Sequence, residues 1–193
     1  AAMANDKVIA NVGVKVNRDV ESRFFVAAVR SRTQLPGYLT YDELRNSPSI
    51  ANSSRGTGAF ASIYPYREAN NNRRDIDTQR VANTTTVRDG RNLYEVAAYA
   101  MNYSLWHPIS SIVQQHAQTQ GGHLKLTHMA DAHQLTVAFL PSVGTTRGSS
   151  APTDQQGHAA GPATSLYEQA SVNQSFFIED KLRVGPQTTW VGA

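Results

Sequence analysis

Apolar and polar residues alternate near the amino terminus, where Val8, Val12, Val14 and Val16 share one parity. A period of two residues is typical of a strand with one buried face. After a short polar turn, the apolar run over residues 23–30 predicts a second strand that returns against the first.

The middle of the chain has a different spacing. Asn92 and Glu95 form a capping-box pattern, and the apolar residues that follow recur at helical intervals. Pro108 removes a backbone donor, so it kinks or ends a helix, and Gly121-Gly122 resembles a helix stop. We therefore predict one kinked helical segment over about residues 92–119.

A β-hairpin is predicted over residues 123–139, where two alternating segments flank a two-residue turn. That turn pairs Leu126 with Leu135 and keeps the leucines and valines on one face. A slip of one residue would turn every side chain to the other face, so the apolar pattern favours this register. The same register places His128 opposite His133 at the tip of the hairpin.

Two stretches, residues 38–80 and 142–164, are rich in small and polar residues and have little periodicity. Long loops are often functional or serve assembly. We expect two loop excursions or assembly arms that extend from a single domain of residues 1–193. Within or beside them, residues 41–45 predict one helical turn and residues 163–170 a short helix.

The order of the predicted elements indicates an α+β fold with an antiparallel-sheet core. A last strand is predicted over residues 175–184. A ferredoxin-like split β-α-β arrangement and a β-sandwich with one inserted helical segment explain this order equally well. Both arrangements contain the kinked segment and the two excursions.

Composition narrows the classes of function. The 193 residues include 18 Lys+Arg, 15 Asp+Glu and no Cys, for a formal net charge of +3. Disulfides, thiolate metal sites and cysteine nucleophiles are therefore excluded. No apolar run approaches the ~20 residues of a membrane-spanning helix, so we expect no membrane span. Residues 1–4 do not resemble a signal peptide, although a chain whose signal had been removed would look the same.

Catalytic patterns are missing from the sequence. It has no Gly-x-Ser-x-Gly elbow and no glycine-rich phosphate loop followed by Lys. His128 and His133, with Asp131 between them, form an incomplete metal-ligand set without a third ligand on a rigid element. Polar histidines at a hairpin tip are the simpler interpretation. We expect a non-catalytic protein without a cofactor.

Arginines and tyrosines are concentrated in the segment 64–91. Single-strand nucleic-acid-binding proteins combine such residues to contact phosphates and stack bases. Six arginines against four carboxylates leave the segment with a small positive excess. The candidate nucleic-acid-binding residues are Arg67, Arg73, Arg74, Arg80, Arg88, Arg91, Tyr64 and Tyr66.

The leading hypothesis is a self-assembling structural subunit of a large homo-oligomer, such as a phage or virus shell, tail or filament protein, located in a virion or in the cytoplasm. Fourteen of the eighteen basic residues are Arg, which is enriched at protein interfaces where Lys is depleted. The excursions would reach across to neighbouring copies. The alternative is a nucleic-acid-binding subunit of a ribonucleoprotein or nucleoprotein complex that uses the segment 64–91.

Overall fold

One antiparallel sheet makes up almost the whole of the computed structural model, which describes residues 3–35, 41–46, 73–108, 111–153, 158–185 and 187–192. The eight strands follow the chain in spatial order, and each pairs with the next. They are β1 (Met3–Lys15), β2 (Val20–Gln34), β3 (Arg73–Asp89), β4 (Asn92–Pro108), β5 (Ser111–Met129), β6 (His133–Pro152), β7 (Ser165–Val184) and β8 (Gln187–Gly192).

Local sequence chemistry fixes several of the tight turns between these strands. The Asn17 side chain accepts backbone hydrogen bonds from Asp19 and Val20, at 2.8 and 2.9 Å, in the turn from β1 to β2. Such an Asx turn reverses the chain without help from other elements. Gly90, between β3 and β4, has a φ of 56°, which glycine adopts without a Cβ penalty.

The predicted α+β class is wrong. The sheet has no helical layer, and no helix of seven or more residues occurs in the ranges given above. The short helix α1 (Tyr41–Asn46) confirms the predicted helical turn.

Within the described ranges, no helix has both the length and the apolar composition to cross a bilayer.

The predicted kinked helical segment over residues 92–119 is instead β4 and the first half of β5. Apolar side chains lie on both faces of β4: Leu93 and Met101 on one, Val96 and Ala100 on the other. A strand with apolar residues on both faces also produces matches at helical spacing. The chain continues as strand because β3 and β5 supply backbone partners along both edges of β4.

Gly121 and Gly122 lie inside β5 and do not stop a helix. A Cβ on Gly121 would lie 2.7 Å from the Tyr99 hydroxyl, and a Cβ on Gly122 would overlap the Ala97 carbonyl oxygen. Both glycines are therefore needed where β4 and β5 approach closely.

The two predicted loop excursions are also partly strand. Residues 142–152 form the second half of β6, held between β5 and β7, and residues 73–80 belong to β3. The helix predicted over residues 163–170 is mostly the start of β7. Small polar residues resemble a linker in composition, but backbone pairing on both sides holds them extended. Residues 36–40, 47–72 and 154–157, which belong to the predicted excursions or border them, lie outside the described residues. The single-domain assignment stays a prediction.

The hairpin between β5 and β6 exists, but its register differs from the prediction by two residues. Leu126 lies opposite Val137, and His128 lies opposite Leu135. A shift of two keeps every side chain on its predicted face, because side chains alternate with a period of two. The predicted pairing of His128 with His133 is therefore wrong.

Large apolar side chains are mostly exposed. In the described part of the chain, the buried apolar residues are Ile112 and Ala138, at 5% and 7% exposure, and Pro108, which is fully buried. In contrast, Val96 is 49% exposed and Phe176 is 76% exposed. No second layer covers this apolar surface of the sheet among the described residues, which is unusual for a domain surrounded by water. The distribution of residues between its two faces is therefore the central feature of the molecule.

Candidate functional site

The strand register assigns every side chain to one of two faces. Successive side chains of a strand point to opposite faces, and directly paired residues share a face. We call the face with Val96 and Leu124 the belt face. The register gives it the even-numbered residues of five strands, β1, β2, β4, β5 and β7, and the odd-numbered residues of β3 and β6. The opposite face, with Glu95 and His123, is called the polar face.

The centre of the belt face carries no charge on any of its seven long strands. This uncharged belt consists of the belt-face residues within 8–14, 20–28, 79–87, 94–102, 118–126, 137–145 and 170–178. Its exposed large apolar residues are Val8, Val12, Val14, Phe24, Val26, Val81, Tyr94, Val96, Leu124, Leu126, Val137, Val143, Val172, Phe176 and Ile178. An exposed apolar surface this continuous indicates a binding surface or contact with lipid.

On β1 to β5, the polar face has titratable residues at the level of the belt or next to it. They are Lys15, Glu21, Arg23, Arg80, Glu95, His123 and Lys125. Glu95 and His123 are linked by a 2.6 Å contact between Oε1 and Nε2. On β4 and β5, side chains of this face are mostly half-buried while those of the belt face are mostly exposed, which fits a sheet that curls around its polar face.

The height of the belt can be estimated along β6. From Val137 to Thr145 is eight residue steps. At about 3.4 Å per step this is about 27 Å along the strand. The outward apolar band of transmembrane β-barrels is roughly 25 Å tall, and their strands tilt by about 35–45°, so a strand runs about 30–35 Å to cross it. The belt spans most of that length.

Charged residues return to the belt face on one side of the belt, near the amino end of β1. Arg30 contacts Asp77 at 3.1 Å, Arg32 lies 3.7 Å from Asp75, and Arg147 contacts Glu168 at 2.9 Å. We call this group the charged band.

Polar groups also border the belt at its other side. His133 contacts Asp180 at 2.8 Å, and Arg91 contacts Asp131 at 3.1 Å. The uncharged belt is therefore bordered by hydrogen-bonded charged groups on both sides.

The predicted nucleic-acid-binding arginines do not form one surface. Arg73 lies on the belt face and Arg74 on the polar face, because neighbouring residues of β3 point in opposite directions. Arg80 and Arg88 share the polar face with Arg74. Arg91 follows in the turn after β3.

Two of these arginines have aromatic partners inside the sheet. The Arg80 guanidinium lies 5.8 Å from the Phe25 ring centre and 5.6 Å from that of Tyr99. Arg73 stacks over Trp106 at 4.5 Å. Arg67, Tyr64 and Tyr66 lie outside the described residues. The nucleic-acid interface stays a prediction.

The candidate metal ligands His128 and His133 have separate partners. His128 Nδ1 lies 2.8 Å from the Asn92 side-chain oxygen, whereas His133 Nδ1 lies 2.8 Å from an Asp180 carboxylate oxygen. In the part of the chain that the structure describes, no three His, Cys, Asp or Glu side chains are grouped as metal ligands would be.

Sequence reasoning missed the uncharged belt itself. Each strand contributes only a few alternating apolar residues, and charged residues on the other face separate them along the sequence. The missing signal was the absence of charge at every second position across seven consecutive strands.

Comparison with known proteins shows a likeness in fold. No known family pattern and no curated protein matches the sequence. Among solved structures, the chain resembles the crystal structure of the ferric citrate transporter FecA in the unliganded form, with a TM-score of 0.82 and 10% sequence identity. The match covers 98% of this chain and 28% of the transporter chain. At that identity the likeness shows the fold alone: an antiparallel sheet resembling a barrel-like transporter fold.

Proposed function

We propose that this chain forms part of the wall of a membrane-embedded β-barrel transporter. In this proposal the uncharged belt faces lipid, and the polar face lines the interior. The observation that carries the proposal is the absence of charge on the belt of all seven strands, four of which, β2 to β5, carry titratable residues at the same level of the opposite face. The fold likeness to a barrel-like transporter supports it.

The physical chemistry of a bilayer accounts for the lack of a buried apolar core. Hydrocarbon cannot hydrogen-bond backbone groups, so membrane strands must pair along both edges. The inner strands β2 to β7 are paired in this way. Transmembrane barrels place apolar residues outward and polar residues inward with a period of two. Lipid then covers the apolar side chains that a water-soluble domain would bury.

The edges of the sheet support a second proposal, assembly between copies. β1 and β8 lie at the two edges of the described sheet. An edge strand presents backbone donors and acceptors that another strand can pair with. Copies joined through these edges would make the chain a self-assembling subunit, as its composition predicts. Edge pairing of this kind is also compatible with a wall built from several segments.

Flotation distinguishes the two proposals. Protein refolded from urea with phosphatidylcholine vesicles should rise with them in a density gradient and stay bound after a high-salt wash. Apolar contact with the belt resists salt, whereas surface charge attraction is screened. A protein that stays in the aqueous fraction as particles of high mass by light scattering would support self-assembly and contradict the membrane proposal.

A further inference from the structure

A cavity of about 520 Å³ lies in the charged band, next to the uncharged belt. Its volume falls within the roughly 300–1,000 Å³ of typical small-molecule sites. Its wall combines charged, amide, hydroxyl, imidazole and aromatic groups. The polar and aromatic residues that line it include Arg32, Asp75, Asp77, Trp106, Gln114 and Arg147.

Two polar atoms of the cavity residues are buried without a partner. Asp75 has a side chain that is only 9% exposed, and one carboxylate oxygen contacts Arg32 and Arg73 at 3.7 and 2.9 Å. Its other oxygen, Oδ1, has no hydrogen-bond partner among the described residues. The same is true of Nη1 of Arg32. Buried polar atoms without a partner are rare in folded proteins, so both atoms are available to bond a ligand in the cavity.

The charges of the wall favour a neutral ligand. The charged residues that line the cavity are two arginines, Arg32 and Arg147, and two aspartates, Asp75 and Asp77. The wall therefore has no charge excess to attract an anion or a cation. The wall does offer one donor, Nη1 of Arg32, and one acceptor, Oδ1 of Asp75. A hydroxyl group can bond to either atom, because it both donates and accepts hydrogen bonds.

Trp106 adds a flat apolar surface at the cavity wall. The Arg73 guanidinium lies 4.5 Å from its ring centre and restricts the orientation of the ring. Sugar rings present hydroxyl groups at their edges and C–H groups on their faces. We propose that this cavity binds a saccharide, with hydroxyls bonded to Asp75 and Arg32 and a ring lying near Trp106.

The sugar could come from a free oligosaccharide or from the headgroup of a glycolipid, since the cavity and the belt share a face. The proposal concerns the cavity alone and does not require that the belt face lipid. Binding of a free trisaccharide in detergent therefore tests it independently of flotation.

Tryptophan fluorescence provides the measurement. The chain has two tryptophans, and Trp190→Phe leaves Trp106 as the only reporter. Titration of this variant with maltotriose should give a saturable change in emission. A second titration with nanodiscs that contain a diglucosyl lipid distinguishes the sources: binding to the nanodiscs alone identifies a glycolipid, and binding to both probes identifies the free sugar.

Three further substitutions in the Trp190→Phe background test the site. Arg32→Ala and Gln114→Ala should each weaken binding, Arg32→Ala by about tenfold as for a lost charged hydrogen bond. Gln114 is exposed, so its variant tests the cavity without disturbing the buried ion pairs. Arg23→Ala is the matched control, because Arg23 pairs with Glu21 on the polar face and neither residue lines the cavity, so it should leave the affinity unchanged.

Two results would overturn the proposal. One is a flat titration with both sugar probes. The other is an affinity for maltotriose that stays the same in both cavity variants. If the first result is accompanied by a response of Trp106 to inorganic phosphate, the ligand is an anion and not a saccharide.

Discussion

The two faces of β4 and β5 differ more from each other than any two regions along the chain. On the belt face, Val96 and Leu124 lie side by side and are half exposed. One residue away on the polar face, Glu95 contacts His123 and lies opposite Lys125. Strands with the same backbone pairing thus present an apolar surface on one side and a charged surface on the other. The two faces therefore suit two different environments, which the sheet separates instead of enclosing a core.

Charge placed on the belt should have the largest effect. Ala98 lies on the belt face and Ala97 on the polar face, so the two form a matched pair. In vesicles, Ala98→Arg should lower the free energy of unfolding by about 2–4 kcal/mol, which is the cost of an arginine near the bilayer midplane. Ala97→Arg places the same side chain beside polar groups and should cost much less. Urea titration of the vesicle-bound protein measures both, and equal losses would mean that the two faces meet the same surroundings.

A smaller effect is expected where the two strands approach most closely. In Gly122→Ala, the new methyl group would overlap the Ala97 carbonyl oxygen. Crowding of this kind costs about 1–3 kcal/mol. Gly161→Ala is the control, because its Cβ would meet only Pro152 at 3.6 Å. The difference in urea midpoint between the variants measures the cost, and a Gly122→Ala protein as stable as the control would contradict the tight junction of β4 with β5.

The smallest effect is expected from the ion pairs of the polar face. Glu95→Gln removes a charge from the Glu95–His123 contact, and both side chains are 28% exposed. Partly exposed pairs contribute about 0–1 kcal/mol, so stability should fall by less than 1 kcal/mol. The same urea titration measures it. A loss as large as that of Ala98→Arg would show that a dry, buried polar face, not the belt, holds the sheet together.

The strands near the amino terminus were predictable from the sequence, and the strands in the middle of the chain were not. Alternating valines predicted β1 correctly, because one parity is apolar and the other mostly polar. In β4 the tyrosines and alanines lie on both faces, so periodicity could not separate strand from helix. The prediction for the second half of β6 was wrong for another reason. Its small polar residues are held extended by pairing with β5 and β7, and this pairing cannot be read from the composition of the segment.

The candidate sites could not be located from the sequence because they depend on how the strands pair and on which face each residue lies. Sequence proximity grouped Arg73 with Arg74, yet the pleat sends them to opposite faces. In contrast, Asp75 and Arg32 are far apart in the chain and meet only because β2 pairs with β3. The belt and the cavity both required the register of several strands.

A nitroxide scan of β4 tests the central claim most directly. The chain has no cysteine, so each position from Leu93 to Met101 can be replaced singly by Cys and labelled in vesicles. We predict that collision rates with oxygen, which dissolves in lipid, peak at the even positions, including Val96 and Ala98. Rates with a water-soluble nickel complex should peak at the odd positions. Equal access of the nickel complex to both sets would contradict a sheet with one face in lipid.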